Sequence, residues 1–261
     1  MLVWLGHAPP AARTDFDATG LASQAMLRGE NPYAAVRNAI ASNHLQYPLF
    51  YPATAPVMLL PLAWLPFRTL IAIWTGLGLG FLAASLTGWR RWILVSAPAI
   101  HAVLLGQWSP WLVAATGLPW LELVWAAKPS VGLAYFAGWP SRRAIISGVS
   151  LVLLSLALVP AWPADWLATV RGQPYYLPPV GRRFGFLLLL GFLRWRTPEG
   201  RFLGTLALVP HTTVIHEALG LLLCARTPRQ LALLQGLGYL AMYLVYTRTH
   251  YGPGEPAGML V

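Results

Sequence analysis

Charge is what this sequence has least of. Charged residues make up 10% of its 261 positions, and only eight of them are acidic. A soluble domain carries about a quarter charged residues, so an ordinary soluble enzyme is excluded. Cysteine occurs once, at Cys224, which rules out intrachain disulfides and cysteine-rich metal sites. No histidine or carboxylate cluster has metal-ligand spacing, and neither a glycine-rich phosphate loop nor a Ser/His/Asp set is visible, so no metal and no cofactor is expected. Residues 1–12 lack the basic start, long apolar core and small-residue cleavage site of a signal peptide, and they are too short to span a bilayer.

What is present is apolar. Hydrophobic residues account for 57% of the chain, with 13 tryptophans, 23 prolines and 24 glycines. That mixture excludes a coiled coil and a disordered tail and points to an integral membrane protein. The formal charge is +10, and 17 of the 18 basic residues are arginines. They sit in short clusters between apolar segments, which fits anionic lipid headgroups and topology control. No basic stripe or binding motif accompanies them, so no nucleic-acid partner is expected.

The pattern predicts an all-α polytopic membrane protein, one transmembrane domain over 1–261. Residues 1–52 form a first outer loop with an amphipathic helix, its apolar positions at Ala18, Leu21, Ala22, Ala25 and Met26, ended by Gly29 and Asn31-Pro32. A helical bundle follows over 53–160, with a short or re-entrant helix at 53–66 and spans at 67–87 and 144–160. Residues 92–127 are broken at Gly106-Gln107 and Gly117-Leu118-Pro119, which suits two short helices. Residues 161–183 form a second, polar-aromatic outer loop, and 184–261 supply C-terminal helices, with a break at Pro210. With 1–52 outside, the clusters Arg90/Arg91, Arg142/Arg143, Arg194/Arg196/Arg201 and Arg226/Arg229 all fall inside, a modest positive-inside bias.

Asp15-Phe16, then thirteen residues to Gly29, then Asn31-Pro32-Tyr33 resembles the first outer loop of the glycosyltransferase 87 family, within the GT-C class of polytopic glycosyltransferases. Tyr51-Pro52, Pro61-Leu62, Leu65-Pro66, Gly106-Gln107, Lys128-Pro129 and Pro210-His211-Thr212 with His216 are similar to later marks of that family, in order. The resemblance implies a GT-C-like bundle of transmembrane and short re-entrant or juxtamembrane helices in the cell membrane. It implies transfer of a hexose, mannose foremost, from a polyprenyl-phosphate donor to a lipid-linked or glycan acceptor, with membrane lipids around it and the catalytic loop extracytoplasmic. It also leads us to expect a further apolar helix before Met1, or a longer chain of which this is a fragment. The other class of function left open is a non-catalytic membrane protein, a degenerate relative, small transporter or scaffold subunit.

A phosphate leaves without a general acid, so one carboxylate base and neutralising cations suffice, and a single displacement inverts the anomeric centre. The resemblance assigns the base to Asp15, against a helix cap or a solvated loop acid. Thr14 and Asp17 form a Thr-x-x-Asp pattern, which gives Asp17 a capping role instead. Arg182 and Arg183 are candidate phosphate clamps or headgroup anchors. His216, beside Glu217 in an apolar segment, is a candidate substrate contact, since polar groups in membranes are costly and tend to be functional. Lys128, Gln107 and Tyr33 join the binding set on the family pattern. His101 and His211 read as structural. Glu122 and Lys128, six apart, face different sides of a straight helix.

Overall fold

The computed structural model describes residues 14–171, 173, 176–212 and 214–251, without the side chains of Asp15 and 248–251. The question of what precedes Asp15 lies outside these residues. The described residues are all-helical, with only an isolated antiparallel bridge between Leu177 and His211. The α-helices are α1 (Asp15–Leu27), α2 (Pro32–Ala41), α3 (Thr54–Leu59), α4 (Phe67–Ser85), α5 (Ala97–Leu104), α6 (Ser109–Ala114), α7 (Pro129–Gly138), α8 (Arg142–Leu158), α9 (Trp162–Val170), α10 (Pro198–Leu208) and α11 (Pro228–Tyr251). Tighter 3₁₀ segments occupy Gly88–Val95, Pro119–Ala126, Gly185–Arg194 and Ile215–Cys224.

Local sequence explains the ends. The Thr14 amide donates to Asp17 Oδ2 (3.0 Å) and the Thr14 hydroxyl to Oδ1 (2.7 Å), so the Asp17 carboxylate closes the start of α1 onto Thr14. At the other end of α1, Gly29 takes φ +73 and Glu30 N–H reaches back to the Ala25 carbonyl, a Schellman closure. Asn31 caps α2 by accepting from the Tyr33 and Ala34 amides, with Pro32 at the first helical position.

The amphipathic expectation for α1 fails. No residue from Phe16 to Met26 is exposed. Of its non-apolar positions, Thr19, Gly20 and Ser23 are small, Asp17 is held by Thr14, and Gln24 donates to the Leu65 carbonyl (3.2 Å), so neighbours close over every face; Gly20 lies against the Phe67 ring.

Three chain reversals organise the interior. Gly106 lies against Phe16 and Ile71 near the start of α4, and Gly117 against Ser85 at its end. Residues 88–105 therefore climb back along α4 and 106–117 descend beside it, with Trp74 stacked on Trp111 (4.2 Å). The chain then climbs through 119–126, whose Ala126 carbonyl accepts from the Thr54 hydroxyl (2.8 Å), and descends through α7. The third reversal joins α10 to 215–224; Arg201 in α10 ties to the Ala137 and Gly138 carbonyls at the foot of α7 (both 2.7 Å). The reversals fall at Gly106, Lys128-Pro129 and Val209-Pro210, where a positive φ (+64 at Gly106) or a following proline takes the backbone out of the helical region.

The exterior is apolar. Ile145, Ile146, Val149, Leu153 and Leu154 expose one stripe of α8, and Leu233, Leu237, Leu240 and Leu244 one of α11. Phe67–Ser85 is long and apolar enough to cross a membrane; a second crossing results if α8 and α9, bent by 101°, count as one. The ten-residue segments Gly185–Arg194 and Ile215–Cys224, wound as 3₁₀ helices, reach about 20 Å, against about 15 Å for an α-helix.

Candidate functional site

The turns of the three reversals meet beneath Tyr51. The Tyr33 hydroxyl donates to the Tyr51 carbonyl (2.9 Å), and the Tyr51 hydroxyl donates to Gln107 Oε1 (3.3 Å). Lys128 places its ammonium 5.6 Å from the centre of the Tyr51 ring, a cation–π contact, and is ion-paired with Glu217 Oε1. His216 Nε2 lies 3.5 Å from the same oxygen. On its far side His216 Nδ1 meets His101 Nδ1 at 3.3 Å, the two rings lying nearly parallel. One of these nitrogens must carry a hydrogen and the other a free lone pair. Gln107, Lys128, His216, Glu217 and His101 are all buried, and Glu217 Oε2 has no hydrogen-bond partner among the described residues.

At Lys128 this buried row borders a cleft. The cleft is small and open, of about 40 Å³, and is lined by Tyr47, Phe50, Tyr51, Lys128, Tyr176 and Thr212. Its two walls come from the two polar loops, which are fastened together: Asn31 Nδ2 donates to Asp165 (3.0 Å) and Trp166 Nε1 to the Phe50 carbonyl (2.8 Å). The second loop is not all loop, because Trp162–Val170 is helical.

The predicted residues separate into three groups. Lys128, Gln107 and His216 come together in the buried row. Tyr33, 1% exposed, does not line the cleft; it supports Tyr51 from behind, and burial together with the Asp165 carboxylate pushes its phenol above the usual range. The two arginines diverge: Arg182 is half-buried within electrostatic reach of His211, whereas Arg183 is exposed and stacks on Phe184 (5.1 Å). Asp15 opens α1, and its side chain lies outside the described residues. Sequence reasoning left Tyr51, Glu217 and His101 out of the site. The signal for Glu217 was its place beside a histidine in an apolar run. Glu122 bonds to the Ser141 hydroxyl, away from Lys128.

The arrangement offers a buried cation on a tyrosine-lined cleft, backed by a carboxylate and by two imidazoles in contact with each other. Among the described residues no group of three or more His, Cys, Asp or Glu could hold a metal ion. No family model, curated protein or solved structure matches the chain.

Proposed function

We propose that this protein is a polytopic membrane glycosyltransferase of the glycosyltransferase 87 type, taking a hexose, mannose foremost, from a polyprenyl-phosphate donor. One observation carries the reading. Residues that bear the resemblance, Tyr51, Gln107, Lys128, His211 and His216, are scattered over more than 160 positions, yet they gather around one cleft. Lys128 is the cation that meets the leaving phosphate, Arg182 a second one at the edge, and Asp15 the base that takes the acceptor proton. The tyrosine walls suit a sugar face.

The membrane placement draws support from the apolar stripes of α8 and α11 and from the distribution of arginine. Arg194 and Arg226 line one groove, Arg90 and Arg194 lie within reach of Cys224, and Arg201 holds the foot of α7. These clusters lie away from the cleft, and under the positive-inside rule that distribution supports an inner arginine-rich end and an outer cleft. Segments of about 20 Å fall short of a hydrocarbon core of about 30 Å, so they serve as re-entrant halves or cross only with flanking residues.

The test is transfer of labelled mannose from polyprenyl-phosphate mannose by the purified chain in lipid nanodiscs, compared with Lys128→Met. Turnover in the native protein that vanishes in the variant supports the reading. A folded native protein that transfers no hexose from any polyprenyl-phosphate donor favours the non-catalytic membrane protein.

A further inference from the structure

A second groove, of about 200 Å³, lies at the arginine-rich end, away from the tyrosine cleft. Leu187, Leu190 and Leu203 form an apolar wall, and Arg194, Glu199 and Arg226 stand at its mouth. Leu187 and Leu190 are 50% and 59% exposed, so the wall faces outward. Arg194 and Arg226 are exposed, and among the described residues neither has an ion-pair partner. Arg90 adds to the positive field, within electrostatic reach of Cys224 in the same wall.

We propose that this groove binds one phospholipid of the inner leaflet with an ammonium headgroup, the phosphatidylethanolamine class. The inference rests on the membrane placement above but not on the transferase reading. Guanidinium forks match phosphate oxygens, and basic pockets between helices bind lipid headgroups. Two guanidinium groups against one carboxylate leave a surplus of one positive charge, the complement of a phosphodiester. Glu199 decides the headgroup. It repels a bare anion and has no donor to accept from in choline, whereas a primary ammonium gives it N–H donors. The leucine wall takes the acyl chain, which a soluble phosphate lacks.

The full chain is reconstituted in nanodiscs holding equal amounts of ethanolamine and choline phospholipid, extracted in detergent and weighed with its retained lipid. One ethanolamine lipid should be retained, about fivefold over choline, as one exposed ion pair of up to about 1 kcal/mol allows. Arg194→Gln with Arg226→Gln should lower retention of both lipids about tenfold, the loss of a charge-assisted bond. Glu199→Gln should equalise the two lipids without lowering their sum. Equal retention by the native chain, or undiminished retention after the double arginine change, overturns the proposal. So does displacement of the lipid by inorganic phosphate alone, which reassigns the groove to a soluble anion. Flotation with liposomes separates the two readings: a chain that floats but selects no lipid loses only this site, and one that does not float loses the membrane placement and the site with it.

Discussion

Removing the Lys128 charge tests the buried row most directly. The side chains of Lys128 and Glu217 are 7% and 5% exposed. Among the described residues, Lys128→Met leaves Glu217 Oε1 with His216 Nε2 at 3.5 Å, while Oε2 has no partner to begin with. An uncompensated buried charge of this kind costs about 3–5 kcal/mol. At about 2–4 °C per kcal/mol for a chain of this size, the melting point should fall by about 6–20 °C. Glu217→Gln should cost as much, since it strands the ammonium instead. The double change Lys128→Met with Glu217→Gln removes both charges at nearly constant volume and should recover to within about 1 kcal/mol of the native chain. The assay is thermal unfolding in detergent, followed by fluorescence of the 13 tryptophans. A double variant destabilised by the sum of the two singles refutes the coupling, and so does a native-like Lys128→Met. A stable double variant that transfers no sugar would show that the pair serves chemistry rather than stability.

Asp17→Asn should cost about 1 kcal/mol through loss of its two bonds to Thr14 while transfer persists, whereas Asp15→Asn should keep the native melting point and abolish transfer; the opposite pattern in a combined melting and turnover assay exchanges their roles. Gly106→Ala should destabilise by about 2–4 kcal/mol, because φ is +64 and the added carbon would lie 2.8 Å from Phe16 Cβ; an unchanged melting point would refute the tight first reversal. In a Cys224→Ser background, Glu30→Cys and Arg196→Cys, both exposed, should react with an impermeant maleimide from opposite sides of sealed vesicles, and labelling from one side would overturn the assignment of the two ends.

Much of the fold was legible because glycine and proline mark it. The uninterrupted apolar run from Phe67 matches α4, and the run from Ala144 matches most of α8. The interruptions at Gly106, Pro119 and Pro210 are interruptions in the structure too. Helix α9 was not legible, since its aromatic and charged residues resemble a loop; docking supplies what the pattern lacks, with Trp166 on the Phe50 carbonyl and Asp165 on Asn31. The burial of α1 was missed for a different reason. Periodicity registers polarity, but Thr19, Gly20 and Ser23 act by being small. The partner of Lys128 was hidden for a third reason. Glu217 is 89 residues away, so only the reversals bring it near, while spacing drew attention to Glu122, which faces Ser141.

The gathering of polar side chains at the three reversals has a physical cause. A helix that stops inside a bundle leaves N–H and carbonyl groups without intrahelical partners, and burying them unpaired is costly. Under the proposed membrane placement the constraint is stricter, because non-helical backbone at depth is tolerated only where protein covers it or water reaches it. Three separate reversals would need three such places. Bringing Gly106-Gln107, Lys128-Pro129 and the turn at Val209-Pro210 together beside one open cleft meets the requirement once. The same grouping lowers the cost of the Lys128–Glu217 pair, since the ammonium borders the cleft and the carboxylate faces His216. It follows that the tips are energetically coupled. Substitutions at Gln107 and at Lys128, which approach Tyr51 from different turns, should be non-additive in a double-mutant cycle, although 21 positions of sequence separate them. Additive effects on melting would mean that the tips are neighbours without acting as a unit.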